Sequence, residues 1–197
     1  MPEWFVIRWM GLLLAVALLT ACGSSKKSTS ATGIYKPATA TATAGTTSPA
    51  AYNTKLGIAV PVQHQGALVQ ALEGWMGVPY KYAGQTKEGT DCSGLIWNIY
   101  QQVYGLKVAR STAQLYEQRL PITADSLQMG DLVFFKIDTQ KPGHSGIYLW
   151  DGYFVHASSS RGVMVSRLQE AYWTRYFVGA GRVAGKQQAA AEGTAAP

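Results

Sequence analysis

The spacing of apolar residues changes partway along the chain. Leu68, Val69, Leu72, Trp75 and Met76 share one face at helical spacing, which predicts a first helix over Gln63–Met76 with Gly77 as its stop. Leu95, Ile96, Ile99, Tyr100 and Val103 predict a second helix over Cys92–Tyr104, ended by Gly105, and Ser111 has the side chain to cap a third running to Gln118. After Gly130 the pattern turns to short dense runs: DLVFFK, SGIYLW, YFVHAS, GVMVSR and YFVGAGRV. These are rich in β-branched and aromatic residues and separated by Gly or Asp, as strands of an antiparallel sheet would be. Helices first and strands second predict an α+β fold with the helices packed on the sheet.

The two ends of the chain read differently. Residues 1–21 carry one arginine, Arg8, before the apolar run Trp9–Leu19, which is shorter than the ~20 residues a spanning helix needs and reads as a signal peptide. Its end, Leu19-Thr20-Ala21-Cys22, resembles a bacterial lipobox, which implies acylation of Cys22 and a membrane anchor. The residue after Cys22 is Gly and not Asp, so the expected address is the outer membrane, facing the periplasm. Residues 22–59 are mostly Ser, Thr, Ala, Gly, Pro and Lys, too poor in large apolar groups to offset the entropy of ordering. They are expected to form a flexible tether spanning roughly 30 Å. Residues 60–183 form the expected domain, and the low-complexity tail 184–197 is expected to fray. The net charge is +6, but Lys26, Lys27, Lys36 and Lys55 sit in the tether region with no acid beside them, while the domain is close to neutral. That distribution argues against nucleic acid as a partner.

The chain has 2 cysteines, and the lipobox takes one of them. Cys92 is left unpaired in an oxidising compartment, where a thiol is either buried or used. It falls at the first turn of the second helix, where free amides and the helix dipole favour thiolate. Helix position alone leaves an inert buried cysteine equally open. A cysteine nucleophile needs a base and a group that orients the base. Of the 3 histidines, His64 reads as a solvated residue of the first helix, while His144 and His156 flank one hairpin. A two-residue Asp151-Gly152 loop would set His156 opposite Ile147 and turn the two histidines to opposite faces. A three-residue Trp150-Asp151-Gly152 loop, with Gly152 in a left-handed bulge, would set His156 opposite Gly146, diagonal to His144 on the same face, with Cβ atoms roughly 7 Å apart. Catalysis requires the second arrangement, which is therefore expected.

Pro79-Tyr80, Gly84, Asp91-Cys92-Ser93-Gly94, Gly130-Asp131-Leu132-Val133-Phe134-Phe135, His144-Ser145-Gly146-Ile147-Tyr148 and Val155-His156-Ala157 together resemble the NlpC family of papain-like peptidoglycan cysteine peptidases, over about Ala67 to Val183. The resemblance implies a papain-like fold in which Cys92 is the nucleophile, His144 the general base and His156 the residue that orients it. It implies that Tyr80 and the Cys92 amide hold the oxyanion, that Asp91 and Ser93 line the substrate groove, and that Arg110 lies near it. It also implies a monomer without cofactor or metal, acting on peptidoglycan stem peptides and held to a membrane through Cys22. The expected reaction is hydrolysis of an amide through a cysteine thioester, at either the D-glutamyl-diaminopimelate or the diaminopimelate-D-alanine bond. Ala83 and Met129 depart from the family's usual Gly and Pro at turn positions. Three alternatives compete. Zinc binding by Cys92, His144 and His156 lacks the short paired spacings and the fourth ligand of structural sites. The others are a catalytically silent wall-binding lipoprotein and a papain-like acyltransferase.

Overall fold

The computed structural model describes residues 52–53, 55–137 and 141–186. The leader, Cys22 and most of the tether lie outside them. The described chain enters through a short antiparallel pair, β1 (Tyr52–Asn53) and β2 (Ala59–Val60). Leu56 and Val60 are buried in the main core, so the ordered domain starts before the expected boundary at residue 60. The first helix is shorter than the apolar spacing suggests. Val62–His64 forms one 3-10 turn, Gly66 is extended, and only α1 (Ala67–Glu73) is helical. His64 is not a freely solvated residue: its ring stacks on Trp150 at 4.8 Å with 13° between planes.

A small hairpin, β3 (Gln85–Thr86) and β4 (Gly89–Thr90), leads into α2 (Cys92–Tyr104), whose bounds match the periodicity. Asp91 caps its start, and Gly105 at φ 64 closes its end in the left-handed conformation that glycine adopts without strain. Ser111 caps α3 (Thr112–Gln118) as its sequence position suggests. The strands β5 (Leu120–Ile122), β6 (Leu132–Phe135), β7 (His144–Tyr148), β8 (Tyr153–Ser158) and β9 (Gly162–Arg167) follow, then α4 (Ala171–Tyr176) and β10 (Phe177–Arg182). The 6-stranded sheet has the order β5-β10-β6-β7-β8-β9, antiparallel throughout. The α+β class is therefore the observed one. Neither β5 nor α4 stood out in the sequence. β5 contains Pro121 and lies at the sheet edge, where a missing N–H costs no ladder bond.

Both faces of the sheet are covered. Leu132, Phe134, Ile147, Val155 and Val163 join Leu95, Ile96, Ile99 and Tyr100 of α2 in one core. Val133, Phe135, Phe154, Leu168, Trp173 and Phe177 form a second core on the α4 side. This is why LVFF has no polar alternation: successive side chains point to opposite faces and all four are buried. Each large apolar side chain so buried stabilises the fold by about 1.5–3 kcal/mol relative to exposure.

The β7–β8 register pairs Ile147 with Val155 and Tyr148 with Phe154, which is the register of the longer loop. The extra residue sits upstream of the place expected. Asp151 (φ 48) and Gly152 (φ 81) form a tight turn with both φ positive, closed by Tyr153 N–H donating to the Trp150 carbonyl at 2.8 Å. Leu149 N–H donates to the Tyr153 carbonyl at 2.8 Å, so Leu149 and Trp150 together oppose Tyr153. The bulge lies at Leu149 and Trp150, just past the end of β7, and not at Gly152.

The chain past Val183 does not fray at once. Asp131, with no exposed surface, accepts from Arg182 Nε at 2.9 Å, from Arg182 Nη2 at 2.7 Å and from the Gln128 amide at 2.8 Å. The buried Lys186 ammonium completes the cluster with an ion pair to the same carboxylate and a 3.2 Å bond to the Met129 carbonyl. Burial by itself would push the Asp131 carboxyl up, but the bonds from Arg182 and Lys186 hold it below its ordinary range. A buried charge of this kind needs its cations, and that need draws the tail inward. Lys186→Met should lower stability by about 2–3 kcal/mol, less than the loss of a sole partner because Arg182 remains. Urea unfolding checks this: a lower midpoint at constant slope is expected, and an unchanged midpoint refutes the latch.

Candidate active site

Cys92 is the first residue of α2, so its N–H has no acceptor within the helix. The Asp91 carboxylate accepts from the Gly94 amide at 2.6 Å and from the Ser93 hydroxyl at 3.2 Å. A Cβ at Gly94 would lie 2.2 Å from the Gly84 carbonyl oxygen, so only glycine lets the 79–84 loop rest on the first helical turn. Arg110 locks that contact. Its Nη1 donates to Asp91 Oδ1 and to Ser93 Oγ, both at 2.8 Å, while Nη2 donates to the Gly84 carbonyl at 2.8 Å and to Asp91 Oδ2 at 3.2 Å. Ala83 holds φ 57 in the same loop, at a cost of roughly 1–2 kcal/mol. The loop lays Tyr80 beside Thr90, bridged in parallel.

The thiol meets one hydroxyl, that of Thr112, which is itself bonded to a second, and sequence reasoning missed both. Cys92 Sγ lies 3.4 Å from Thr112 Oγ1, which lies 3.0 Å from Ser145 Oγ. All three residues are buried. The only local signal for Thr112 was its place just after the Ser111 cap. Ser145 stood inside the His144-Ser145-Gly146 fragment with no role assigned.

His144 opens β7, and its Nε2 lies 3.0 Å from His156 Nδ1. His156 Nε2 lies 3.0 Å from Ser166 Oγ, a further partner that sequence reasoning missed. Trp173 of α4 covers both rings, stacking on His144 at 5.6 Å and meeting His156 edge-on at 4.8 Å. Burial, followed by the positive charges of His144 and Arg161, pushes His156 down to about 2. His156 is therefore neutral and carries one proton. With that proton on Nε2 and donated to Ser166, its Nδ1 lone pair accepts from His144 Nε2–H. This arrangement leaves His144 Nδ1 for the thiol. Burial would raise the Cys92 pKa, but the hydrogen bond and charge of His144, the Thr112 hydroxyl and the Ser145 backbone outweigh it and bring it to about 7.

Tyr80 is raised above its ordinary value by burial and by the charges of Cys92 and Asp91, so it keeps its proton and can donate. It stands between two clefts. One, of about 550 Å³, is walled by His144, His156, Arg161 and Trp173. The other, of about 520 Å³, is walled by Asp91, Cys92, Ser93 and Arg110. Tyr80 and Gly143 belong to both. Cys92, His144, His156, Tyr80, Asp91, Ser93 and Arg110 thus gather at one place, while Cys22 lies outside the described residues. Among the described residues no group of His, Cys, Asp and Glu is arranged to hold a metal ion.

A helix-borne cysteine facing histidines on an antiparallel sheet is the papain-like arrangement. The family model described as "NlpC/P60 family" matches residues 77–182, and the chain belongs to this family. It is 29% identical over 179 residues to the Escherichia coli (strain K12) protein named "Murein DD-endopeptidase MepS/Murein LD-carboxypeptidase", covering 91% of this chain and 93% of that one. It is 39% identical over 115 residues to the Bacillus subtilis (strain 168) "Gamma-DL-glutamyl hydrolase", covering 57% of this chain and 28% of that one. Among solved structures, an NlpC/P60 family protein from Bacillus cereus superposes with TM-score 0.54 at 28% identity, over 62% of this chain and 43% of that longer chain.

The thiol chemistry is directly measurable. Alkylation of Cys92 by iodoacetamide should rise with pH through an inflection near 7, because only the thiolate reacts. An inflection near 9, the value of an unassisted thiol, would contradict the assigned geometry.

Proposed function

We propose that this protein is a peptidoglycan endopeptidase that cuts an amide bond of stem peptides or their cross-links through a thioester on Cys92. The observation that carries the reading is the chain of contacts from Cys92 to His144 to His156 to Ser166, which supplies a nucleophile, a base and its orienting pair. Cys92 Sγ attacks the amide carbonyl carbon, and its proton resides on His144 Nδ1. The oxyanion is met by the Cys92 N–H and the Tyr80 hydroxyl, donors of the kind whose loss costs about 3 kcal/mol. His144 then protonates the departing nitrogen, the C–N bond breaks, and the thioester is hydrolysed by a water that gives its proton back to His144. Asp91, Ser93 and Arg110 bind the acyl half of the stem peptide. The relatives' names support the wall as substrate. The bond cut is the D-glutamyl-diaminopimelate bond of the stem or the diaminopimelate-D-alanine cross-link.

The lipobox at Leu19–Cys22 supports an envelope location, with Cys22 acylated and the domain tethered at the outer membrane, facing the periplasm as a monomer. A silent wall-binding role would leave the intact thiol and paired histidines without purpose. An acyltransferase would use the same thioester with an amine in place of water.

Purified peptidoglycan treated with the protein from Gly23 onward should release products identifiable by mass spectrometry, with Cys92→Ala inert. His144→Ala should fall by about 10²–10⁴-fold. Loss of cross-linked dimers assigns the cross-link, and shortened stems assign the D-glutamyl bond. Sedimentation with the wall without any cleavage would leave the binding role standing instead.

A further inference from the structure

The cleft walled by the two histidines carries a charge that the chemistry above does not use. Arg161 ends the Ser159-Ser160-Arg161 turn between β8 and β9, where Ser158 pairs with Gly162. The backbone fixes this turn. Gly162 has φ +71, and a Cβ there would lie 2.4 Å from the Val78 carbonyl oxygen. Val163 N–H donates to that carbonyl at 2.9 Å, and the Val163 carbonyl accepts from Gly77 N–H at 2.9 Å. Arg161 is exposed, and among the described residues its guanidinium has no ion-pair or hydrogen-bond partner. The acid in the same cleft, Glu170, already accepts the Arg167 amide at 2.7 Å. The positive charge of Arg161 nonetheless reaches the site, since it helps depress His156.

The side of the site on which Arg161 stands decides what it meets. A leaving nitrogen must lie within reach of the acid that protonates it. His144 walls this cleft and not the one formed by Asp91, Ser93 and Arg110. The Arg161 cleft therefore receives the amine half of the substrate. We infer that Arg161 is a specificity residue that binds a free carboxylate on the residue supplying the scissile nitrogen. This inference rests on the endopeptidase reading. At the D-glutamyl bond and at the D-alanyl cross-link diaminopimelate supplies the nitrogen and keeps a free carboxylate, beside the scissile nitrogen in the cross-link and at the far end of the side chain in the stem. A guanidinium pairs with a carboxylate in bidentate geometry and has no comparable match for a primary amide.

The test uses the purified mature chain and two muropeptides that differ only in whether the diaminopimelate carboxylate is free or amidated. Wild type should prefer the acid by roughly tenfold or more in kcat/KM, the scale of one charge-assisted hydrogen bond. Arg161→Gln should bring the two substrates level, chiefly through KM for the acid, and Arg161→Lys should retain part of the preference. Equal slowing of both substrates by Arg161→Gln, or an undiminished preference in that variant, overturns the assignment. Wild-type cleavage of neither muropeptide overturns the endopeptidase reading itself, an outcome distinguishable because it appears before any Arg161 variant is compared.

Discussion

The hydrogen bond between His144 and His156 depends on the parity of one hairpin. A strand has a side-chain period of two, so a slip of a single residue between β7 and β8 would carry His156 to the helix side of the sheet. The paired Leu149 and Trp150 opposite Tyr153 set that parity, and the Asp151-Gly152 turn holds it. Trp173 then packs on both rings from the second layer. His156 is buried and uncharged, and its ring is held between Ser166 and His144, so one nitrogen of His144 is engaged by a fixed partner.

The site is assembled from both layers of the fold. The helix layer delivers Cys92 at the first turn of α2, and the sheet delivers the histidines. The hydroxyls of Thr112 and Ser145 join α3 and β7 across the gap beside the sulfur. Each contact is short and local, yet the residues come from widely separated parts of the chain. The core's role in function is to hold these separations constant.

Much of this was legible because period and punctuation are local signals. The bounds of α2 follow from its apolar stripe and Gly105, and the five strands after Gly130 stand where their dense runs lie. The register followed from requiring both histidines on one face. What was hidden depends on distant partners. The Ser166 contact needs the β8–β9 pairing, and the run from the thiol through Thr112 to Ser145 forms only when three elements pack together. Lys186 sits in a low-complexity tail whose composition suggests fraying, and only the buried Asp131 explains why it is held. His64 was misread for the same reason, since its partner Trp150 lies across the fold.

The pairing of Asp91 with Arg110 also bears on reactivity. A carboxylate immediately before Cys92 makes a good helix cap but, left alone, would oppose formation of a second negative charge on the adjacent sulfur. The guanidinium bound to both carboxylate oxygens makes the cap electrically neutral as a unit, so the dipole of α2 can act on the thiolate without cancellation. Asp91 and Arg110 are thus exchangeable only together: replacing either one would leave the other's charge uncompensated beside the first turn of α2.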